Sequence, residues 1–321
     1  MGNDVCVVIE HLRGQVSDIS YVMLAAARGL AESSGGKVLA ILLGHGAQDL
    51  AQDLLADEVL YADHPQLADF TPDAYEAVLV QLLGEKQPRA ILLGHTSIGT
   101  DVAGTLSVRL KLPLVSSCRQ ITPDGKYVSQ ICGGKIMAEG QLPVPAAVVT
   151  MTPGGYKPEQ GRGSARPEVT AIQPPPLTPM RTKLAKYIEP AGGDVDISKE
   201  SLLIAVGRGI QNQDNISLAE ELAKTLGGVV TGSRPVIDQG WLPTSRLVGK
   251  SGKHVKPKVY LALGISGAPE HVEAITDSET IVAINTDPAA PIFDLAKYGV
   301  EIDMFDLLEV LTTKAKEAKA D

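Results

Sequence analysis

The sequence of 321 residues has few aromatic side chains, few cysteines and no long apolar run. Aromatic residues make up 4% of the chain, and the three cysteines, Cys6, Cys118 and Cys132, are far apart and form no C-x-x-C pair. This set argues against structural zinc, iron–sulfur clusters and a disulfide framework. Apolar runs such as Val259 to Leu263 are much shorter than the roughly 18 residues that span a bilayer, so direct membrane insertion is not expected.

Positive charge is also scarce, with 29 lysines and arginines against 38 acidic residues and a net charge of -9. Without a basic surface for a phosphodiester backbone, nucleic acid is not an expected partner. The first residues lack the basic and apolar segments of a targeting peptide, which makes a cytoplasmic location the expectation. No nucleophile–base–acid pattern or metal-ligand cluster stands out, so no catalytic residue and no metal site are predicted.

Short apolar runs alternate with helical patterns in the first half, as is typical of βαβ units and a mostly parallel sheet. The predicted strands are Val5 to Glu10, Val38 to Leu43, Glu58 to Tyr61, Ala90 to Leu93 and the antiparallel-looking Leu114 to Ile121, Tyr127 to Ile131 and Ala146 to Met151. The predicted helices are Ser20 to Glu32, Ala47 to Leu55, Pro72 to Glu85 and Thr100 to Leu110.

The composition changes after residue 153, where glycines and then several prolines replace the periodic pattern. Proline removes a backbone donor and restricts φ, so Pro174-Pro175-Pro176 and Pro179 are typical of a connection. A second polar stretch, Pro190 to Asp194, precedes the next strand. The sequence therefore predicts an N-terminal α/β domain over residues 1–197, with a Pro-rich exit linker at about 153–197, and a second domain over 198–321.

The second domain also alternates strands and helices, and its strands end in small-residue or charged loops. The predicted strands are Leu202 to Val206, Val229 to Thr231, Val259 to Ile265 and Thr280 to Ile284, with helices at Ser217 to Leu226, near Pro269 and from about Phe305. The loops are Gly207-Arg208-Gly209, Gly232-Ser233-Arg234, Val248 to Ser251, Gly264 to His271 and Asn285. In an open parallel sheet such loops converge on one ligand, so the pattern predicts a cofactor site.

Each of these loop residues also has a structural interpretation. Arg208 is suited to a pyrophosphate or to an exposed turn, and Asn285 to a ribose or to an Asx turn. Arg234 is expected to be semi-buried and therefore to have a partner, because an unpaired buried arginine is costly. His271, in the first turn of a helix, is able to donate to a ligand oxygen, although a single histidine is more often structural.

A similar strand–loop–helix junction occurs in the first domain. Gly94 to Asp101 follows a predicted strand and opens a helix, a position that suits a phosphate. The same residues also make a good helix entry. We favour this structural interpretation.

Read together, the blocks of the second domain closely resemble the electron-transfer flavoprotein α-subunit family. These blocks are Val206-Gly207-Arg208-Gly209, Gly232-Ser233-Arg234, Val248 to Lys253, Gly264 to Ala268 with His271, Ile281 to Pro288 and Pro291-Ile292-Phe293. The resemblance covers nearly all of the second domain and is looser in the first. It implies an α/β fold in which an N-terminal nucleotide-hydrolase-like α/β domain precedes a doubly wound parallel-sheet FAD-binding domain.

The resemblance further implies a heterodimer with a β subunit that contacts the N-terminal domain, FAD on this chain, and AMP or a second FAD on the partner. The residues that fall on the family's FAD-binding positions are Arg208, Ser233, Arg234, Val248, Gly249, Lys250, Ser251, Ser266, Gly267, Ala268, Pro269, Glu270, His271, Asn285, Asp303 and Met304. Arg234 matches the arginine near the isoalloxazine, and His271 matches the group near the pyrimidine carbonyl.

The function implied is a non-catalytic electron carrier. It accepts electrons from acyl-CoA or related dehydrogenases, as in fatty acid β-oxidation, and passes them to a quinone reductase or another acceptor. A bifurcating form that uses NADH and the second FAD is the alternative, and the α chain alone does not decide between them. A stand-alone NAD-dependent enzyme and a flavin-free interaction scaffold are less favoured, and the visible spectrum distinguishes the scaffold.

This chain departs from the family pattern at four positions of the predicted site. Lys250 stands where glutamine is usual, Ser251 where threonine is usual, and Pro269-Glu270 where Ile-Gln is usual. A hydrogen bond to a charged group contributes about 1.5 to 3 kcal/mol, equivalent to roughly 60 to 130 mV for one electron. Lys250 is therefore expected to favour the reduced flavin, and Glu270 to oppose it.

Overall fold

The structure is a computed structural model that describes residues 2–132, 136–177, 180–187 and 195–320. It divides into two compact units, Met1–Tyr187, here unit 1, and Ile188–Asp321, here unit 2. Most of the segment predicted as a linker therefore belongs to unit 1. Pro179 and the stretch Pro190 to Asp194 lie outside the described residues.

The described part of unit 1 contains one large sheet, a short hairpin and three α-helices. The strands are β1 Val5–Val8, β2 His11–Leu12, β3 Gln15–Val16, β4 Val38–Gly44, β5 Glu58–Asp63, β6 Ala90–Gly94, β7 Leu114–Ile121, β8 Lys126–Ile131, β9 Ile136–Gln141, β10 Ala147–Met151 and β11 Glu168–Ala171. The helices are α1 Asp18–Ser34, α2 Pro72–Lys86 and α3 Ser97–Leu110. The sheet order is β11-β5-β4-β1-β6-β10-β7-β8-β9, and the hairpin is β2-β3.

Strand β1 lies in the middle of the sheet and is buried on both faces. Val5 and Val7 belong to the core under α1, whereas Cys6 and Val8 belong to the core under α2 and α3. Successive side chains of a strand point to opposite faces, so a strand that is covered on both sides reads as an unbroken apolar run. The predicted βαβ layering of this unit follows from that pattern.

Strand β10 differs from its predicted orientation. Ala146 to Met151 is predicted as an antiparallel-looking strand, but β10 pairs in parallel with both β6 and β7. All five of its residues are buried. A fully apolar strand of this kind is typical of a parallel sheet that is covered on both faces. Strand β7 is likewise parallel to β10, and only its pairing with β8 is antiparallel.

The predicted helix from Ala47 to Leu55 is wrong. Only Gln48–Ala51 forms a 3-10 helix. The Leu55 N–H then donates to the Gly161 carbonyl at 3.1 Å, and Leu54 forms a bridge with Arg162. Contacts with a segment more than a hundred residues away replace the local helical hydrogen bonds here.

That distant segment is part of the first core. Strand β11 extends the sheet in parallel beside β5, and Leu177 is buried in the core under α2. Further along, Arg181 binds Asp73 in the first turn of α2 through both its backbone N–H and its guanidinium. These contacts attach the proline-rich stretch to unit 1, although its composition is typical of a linker.

Unit 2 is a smaller α/β unit whose described strands all run in parallel. The strands are β12 Leu202–Val206, β13 Val229–Gly232, β14 Val259–Leu263, β15 Thr280–Asn285 and β16 Tyr298–Glu301. The helices are α4 Ile216–Leu226, α5 Arg234–Asp238, α6 Pro269–Val272 and α7 Met304–Ala320. The sheet order is β13-β12-β14-β15-β16.

The sheet of unit 2 has a core on each face. In β14, Tyr260 and Ala262 face one core, and Leu261 and Leu263 face the other, which α4 and α7 cover. This arrangement confirms the predicted doubly wound parallel sheet. In neither unit do the described helices have the length and apolarity that crossing a bilayer requires.

In unit 1, a buried carboxylate occupies the start of α3. The Thr96 hydroxyl donates to the Glu10 carboxylate at 2.9 Å and accepts a hydrogen bond from the Gly99 N–H at 3.0 Å. A helix N-terminus attracts an anion through its free N–H groups and its dipole. Because the chain places its own carboxyl group at this position, the contact supports the structural interpretation of Gly94 to Asp101.

Burial raises the pKa of Glu10 from 4.5 to about 7. An acid with a higher pKa in the folded than in the unfolded chain binds a proton on folding, so the free energy of unfolding falls as the pH rises through this range. We expect Glu10→Gln to flatten this pH dependence and to raise the free energy of unfolding at pH 8 by up to roughly 3 kcal/mol. Urea unfolding followed by circular dichroism between pH 5 and pH 8 measures this effect. Glu32→Gln, at an exposed position, is the control. If the free energy of unfolding of Glu10→Gln depends on pH as steeply as that of the wild type, Glu10 does not have the raised pKa.

Candidate functional site

A cavity lies where the strand order of unit 2 reverses. From β12 the chain proceeds to β13 on one side, and the later strands β14, β15 and β16 continue on the other side. The loops after β12 and β14 therefore diverge at the carboxyl ends of the strands and leave a crevice between them. The cavity has a volume of about 850 Å³, which is within the usual range for small-molecule and cofactor sites.

All of the predicted cofactor-binding residues except Gly267 and Pro269 line this cavity. They are Arg208, Ser233, Arg234, Val248, Gly249, Lys250, Ser251, Ser266, Ala268, Glu270, His271, Asn285, Asp303 and Met304. Gly267, in the loop after β14, and Pro269, the first residue of α6, each lie between two lining residues. The structure thus brings together side chains from segments nearly a hundred residues apart.

Glycines allow the loops after β12 and β14 to begin in close contact before they diverge. A Cβ atom on Gly207 would lie 2.2 Å from the Gly264 carbonyl oxygen, a distance that no side chain tolerates. Gly264 has a φ of +62°, in the left-handed region that favours glycine. The Gly209 N–H donates to the Gly264 carbonyl at 3.3 Å. This contact sets the base of the cavity.

The loop from Leu247 to Lys253 forms one wall and is held at several points. The Val248 N–H donates to the Gly232 carbonyl at 3.1 Å, and the Lys250 N–H donates to the Glu270 carbonyl at 2.7 Å. The Lys253 ammonium lies 2.7 Å from Asp196 Oδ1 and holds the pKa of that carboxyl well below its usual range. The loop therefore presents Lys250 and Ser251 from a fixed backbone.

Arg234 is exposed, contrary to the semi-buried position expected from the sequence. Its side chain is 61% exposed, and its Nε lies 2.6 Å from Asp238 Oδ1, one turn later in α5. Its Nη1 also donates to Ser251 Oγ at 3.2 Å. The expected partner is thus present, but it lies on the same exposed face of the short helix α5, and solvent reaches the guanidinium.

Lys250 is also only partly enclosed. Its side chain is 52% exposed, and its ammonium lies 3.9 Å from a carboxylate oxygen of Glu273. Solvent screening and this nearby negative charge both weaken the field of the ammonium in the cavity. The electrostatic effect of Lys250 is therefore smaller than the sequence alone suggests.

His271 is the buried polar residue of the wall. It is 6% exposed, and its Nε2 lies 2.8 Å from the hydroxyl of Tyr260. Burial lowers its pKa to about 4, so the ring is neutral at pH 7. Its Nδ1 is buried without a hydrogen-bond partner among the described residues. The burial and the Tyr260 contact exclude a solvated surface histidine.

Asn285 and Asp303 also have structural roles at the cavity edge. Asn285 Nδ2 donates to the Ile265 carbonyl at 2.9 Å, and Asn285 Oδ1 accepts from the Asp287 N–H at 3.0 Å, which makes the anticipated Asx turn. Asp303 Oδ1 accepts from the Phe305 N–H at 3.0 Å at the start of α7. These bonds hold the loops after β15 and β16 in place beside the cavity.

Some of the lining residues are not among the predicted ones. Gln211 follows the loop after β12 with a φ of +69°, and Ile284 and Ile302 form an apolar part of the wall. The position of Gln211, just past Gly-Arg-Gly, is a signal that was available in the sequence. The two isoleucines carry no such signal, because the same residue type fills the cores.

Comparisons with known proteins identify both units. Residues 5–177 match the model of the electron transfer flavoprotein domain, and residues 196–276 match that of the electron transfer flavoprotein FAD-binding domain. The first match spans more than half of the chain. The two matched ranges lie within unit 1 and unit 2, respectively.

Relatives resemble the chain over nearly its whole length. The acryloyl-CoA reductase electron transfer subunit beta of Anaerotignum propionicum is 36% identical, with 98% of this chain and 96% of that protein covered. Protein FixB of Clostridium saccharobutylicum is 36% identical with the same coverage. The electron transfer flavoprotein subunit alpha of Bacillus subtilis is 31% identical over 99% of this chain and 98% of its own length.

Gly267 allows a test of how tightly the cavity loop is packed. It has a φ of +87°, and a Cβ there would lie 2.4 Å from the Ile292 nitrogen, whereas Gly240, with a φ of +73°, has open space around it. Both alanine substitutions incur the cost of positive φ, about 1 kcal/mol, but only Gly267→Ala adds a collision. We expect Gly267→Ala to lower the free energy of unfolding by at least about 1 kcal/mol more than Gly240→Ala. Urea unfolding monitored by Trp241 fluorescence measures both free energies. If the two variants lose equal amounts, the loop around Gly267 rearranges without cost to accept the methyl group.

Proposed function

The chain belongs to the electron transfer flavoprotein family, and on that basis we propose that it is an α subunit that binds FAD in the cavity of unit 2 and carries electrons between a dehydrogenase and an acceptor. It acts as a heterodimer with an electron transfer flavoprotein β subunit, on which AMP or a second FAD is expected. The observation that carries the proposal is the cavity at the strand reversal of unit 2, in the unit that matches the FAD-binding domain.

The residues around the cavity fit a flavin dinucleotide. The glycine-containing loops after β12 and β14 bring backbone close to the ligand space. Arg208 provides positive charge for a pyrophosphate, and Arg234 and Lys250 provide it for the flavin ring. The buried Nδ1 of His271 has no partner among the described residues and suits an acceptor atom of the ligand. The volume of about 850 Å³ is large enough for an extended cofactor.

FAD, when bound, supplies the redox chemistry, and the chain supplies binding, orientation and electrostatics. We assign Arg208 and the backbone from Ser266 to Ala268 to the pyrophosphate. We assign Arg234, with Ser251 beside it, and His271 to the isoalloxazine end. A donor or cation held near the ring stabilises negative charge and raises the reduction potential.

The physiological partners are inferred from the relatives. One relative is named as an electron transfer subunit of acryloyl-CoA reductase, and others are named as electron transfer flavoprotein α subunits. The first name supports an acyl-CoA or related dehydrogenase as one partner. A quinone reductase or another acceptor is the partner that we expect on the other side. The chain is a redox carrier subunit. The cytoplasmic location stays a prediction.

Unit 1 is the proposed β-subunit interface. Its sheet ends in the antiparallel strands β8 and β9, with β9 at the edge. Ile131, Ile136 and Met137 are each between two-fifths and half exposed there. An open strand edge with apolar side chains is a typical site of association.

Electron bifurcation is the second candidate, in which a second FAD on the β subunit accepts electrons from NADH. The names of the acryloyl-CoA reductase subunit and of FixB are compatible with it. The two candidates differ in the number of flavins per heterodimer.

Flavin analysis tests both forms of the proposal. Co-expression with the β subunit should yield a yellow heterodimer with one FAD, or with two if the bifurcating form is correct. A well-folded heterodimer that stays colourless after FAD is added contradicts the proposal. The measurement requires only the absorption spectrum and the flavin released on denaturation.

Lys250→Gln tests the electrostatic effect of the lysine. A half-exposed, partly compensated charge contributes about 0.2 to 1 kcal/mol, so we expect the midpoint potential of the bound flavin to fall by about 10 to 40 mV. A redox titration of the heterodimer measures the change. Lys258→Gln removes the same charge just before β14, at the amino end of the strands, and should leave the potential unchanged. Equal potentials in both variants and the wild type exclude a role for Lys250.

A further inference from the structure

The buried contact between His271 and Tyr260 has a consequence for the proton on the histidine ring. Tyr260 is fully buried in β14, and its hydroxyl is the hydrogen-bond partner of His271 Nε2, at 2.8 Å. Nδ1 of the same ring is also buried and lacks a partner among the described residues. A buried polar atom without a partner is uncommon in native proteins and calls for an explanation.

Two proton arrangements satisfy this contact. In the first, the Tyr260 hydroxyl donates to Nε2 and the ring proton is on Nδ1. In the second, Nε2 donates to the phenol oxygen and Nδ1 carries only a lone pair. Both groups are uncharged at pH 7, because burial raises the pKa of Tyr260 and lowers that of His271. The charge states therefore do not distinguish the two arrangements.

The hydrogen bonds that each arrangement leaves unmade favour the first. Among the described residues, His271 Nε2 is the hydrogen-bond partner of the buried Tyr260 hydroxyl, so the phenol O–H has an acceptor only when it donates to Nε2. The second arrangement leaves both this O–H and the Nδ1 lone pair buried without a partner, whereas the first leaves only the Nδ1–H, which a ligand in the cavity can satisfy.

We infer that Tyr260 is a positioning residue that holds His271 in its Nδ1–H tautomer, so that the ring offers a donor, and no acceptor, to the molecule in the cavity. The inference rests on the proposed function, because it names FAD as that molecule. In this tautomer, His271 can pair only with a hydrogen-bond acceptor of the flavin, such as a carbonyl oxygen. The hydrogen bond from Tyr260 also restrains rotation of the ring.

Nitrogen NMR of the full-length chain in its heterodimer tests the tautomer directly. The protein is labelled with ¹⁵N-histidine, and among its six histidines the signals of His271 are those that His271→Gln removes. At pH 7 we expect Nδ1 to be protonated and Nε2 to be unprotonated. A protonated Nε2 in the wild-type protein overturns the inference, and this measurement needs no variant of Tyr260.

Tyr260→Phe tests the positioning role. Without the phenol, the Nδ1–H form should lose its preference and FAD should bind about three- to tenfold more weakly. Tyr75→Phe is the matched control, because it removes another buried hydroxyl, 3.3 Å from the Leu43 carbonyl in unit 1, and should change neither the tautomer nor FAD affinity. In a His271→Gln background, Tyr260→Phe should have no further effect on FAD affinity.

The outcomes separate the inference from the proposed function. Unchanged tautomer signals and unchanged FAD affinity in Tyr260→Phe overturn the positioning role. A flavin-free protein whose His271 is nonetheless protonated at Nδ1 contradicts the proposed function and supports the tautomer assignment.

Discussion

The site in unit 2 depends on the contact between two glycine-containing loops at the strand reversal. Gly207 and Gly264 meet so closely that a single Cβ atom on Gly207 would collide with the Gly264 carbonyl oxygen. This contact keeps the ends of β12 and β14 together while their loops diverge around the cavity. Lining residues at the end of β15 and just after β13 and β16 surround a space next to these two loops. Topology provides the crevice, and the small residues keep it open.

The electrostatics of the cavity combine exposed cations with one buried neutral ring. Arg234 and Lys250 are each more than half exposed and lie near carboxylates, so solvent and counter-charges reduce their fields. His271 is buried and uncharged, and a hydrogen bond in a dry site is electrostatically stronger than one in water. We therefore expect the buried His271 ring to influence a flavin bound here more than a simple count of charges suggests.

Unit 1 contains a similar strand–helix junction with a different outcome. At the start of α3, the buried carboxyl group of Glu10 occupies the position that suits a ligand anion, and Thr96 links it to the helix. The corresponding loops of unit 2 have no buried carboxylate of this kind in contact with them among the described residues. The same local pattern thus serves packing in one unit and borders a cavity in the other, because Glu10, just after the neighbouring strand β1, reaches the junction in unit 1.

The sequence by itself determined the α/β class, most of the strands and the loops that border the cavity, because alternating apolar runs and glycine turns are local properties of the chain. Only the tertiary structure decided the orientation of β10, the loss of the helix after Ala47, the attachment of the proline-rich stretch to unit 1, and the exposure of Arg234. Each of these depends on contacts between distant segments, such as Leu55 with Gly161. The hydrogen bond between His271 and Tyr260 was also decided by the tertiary structure. The burial of Tyr260 beside His271 follows from the packing of β14 and α6 and not from the spacing of the two residues.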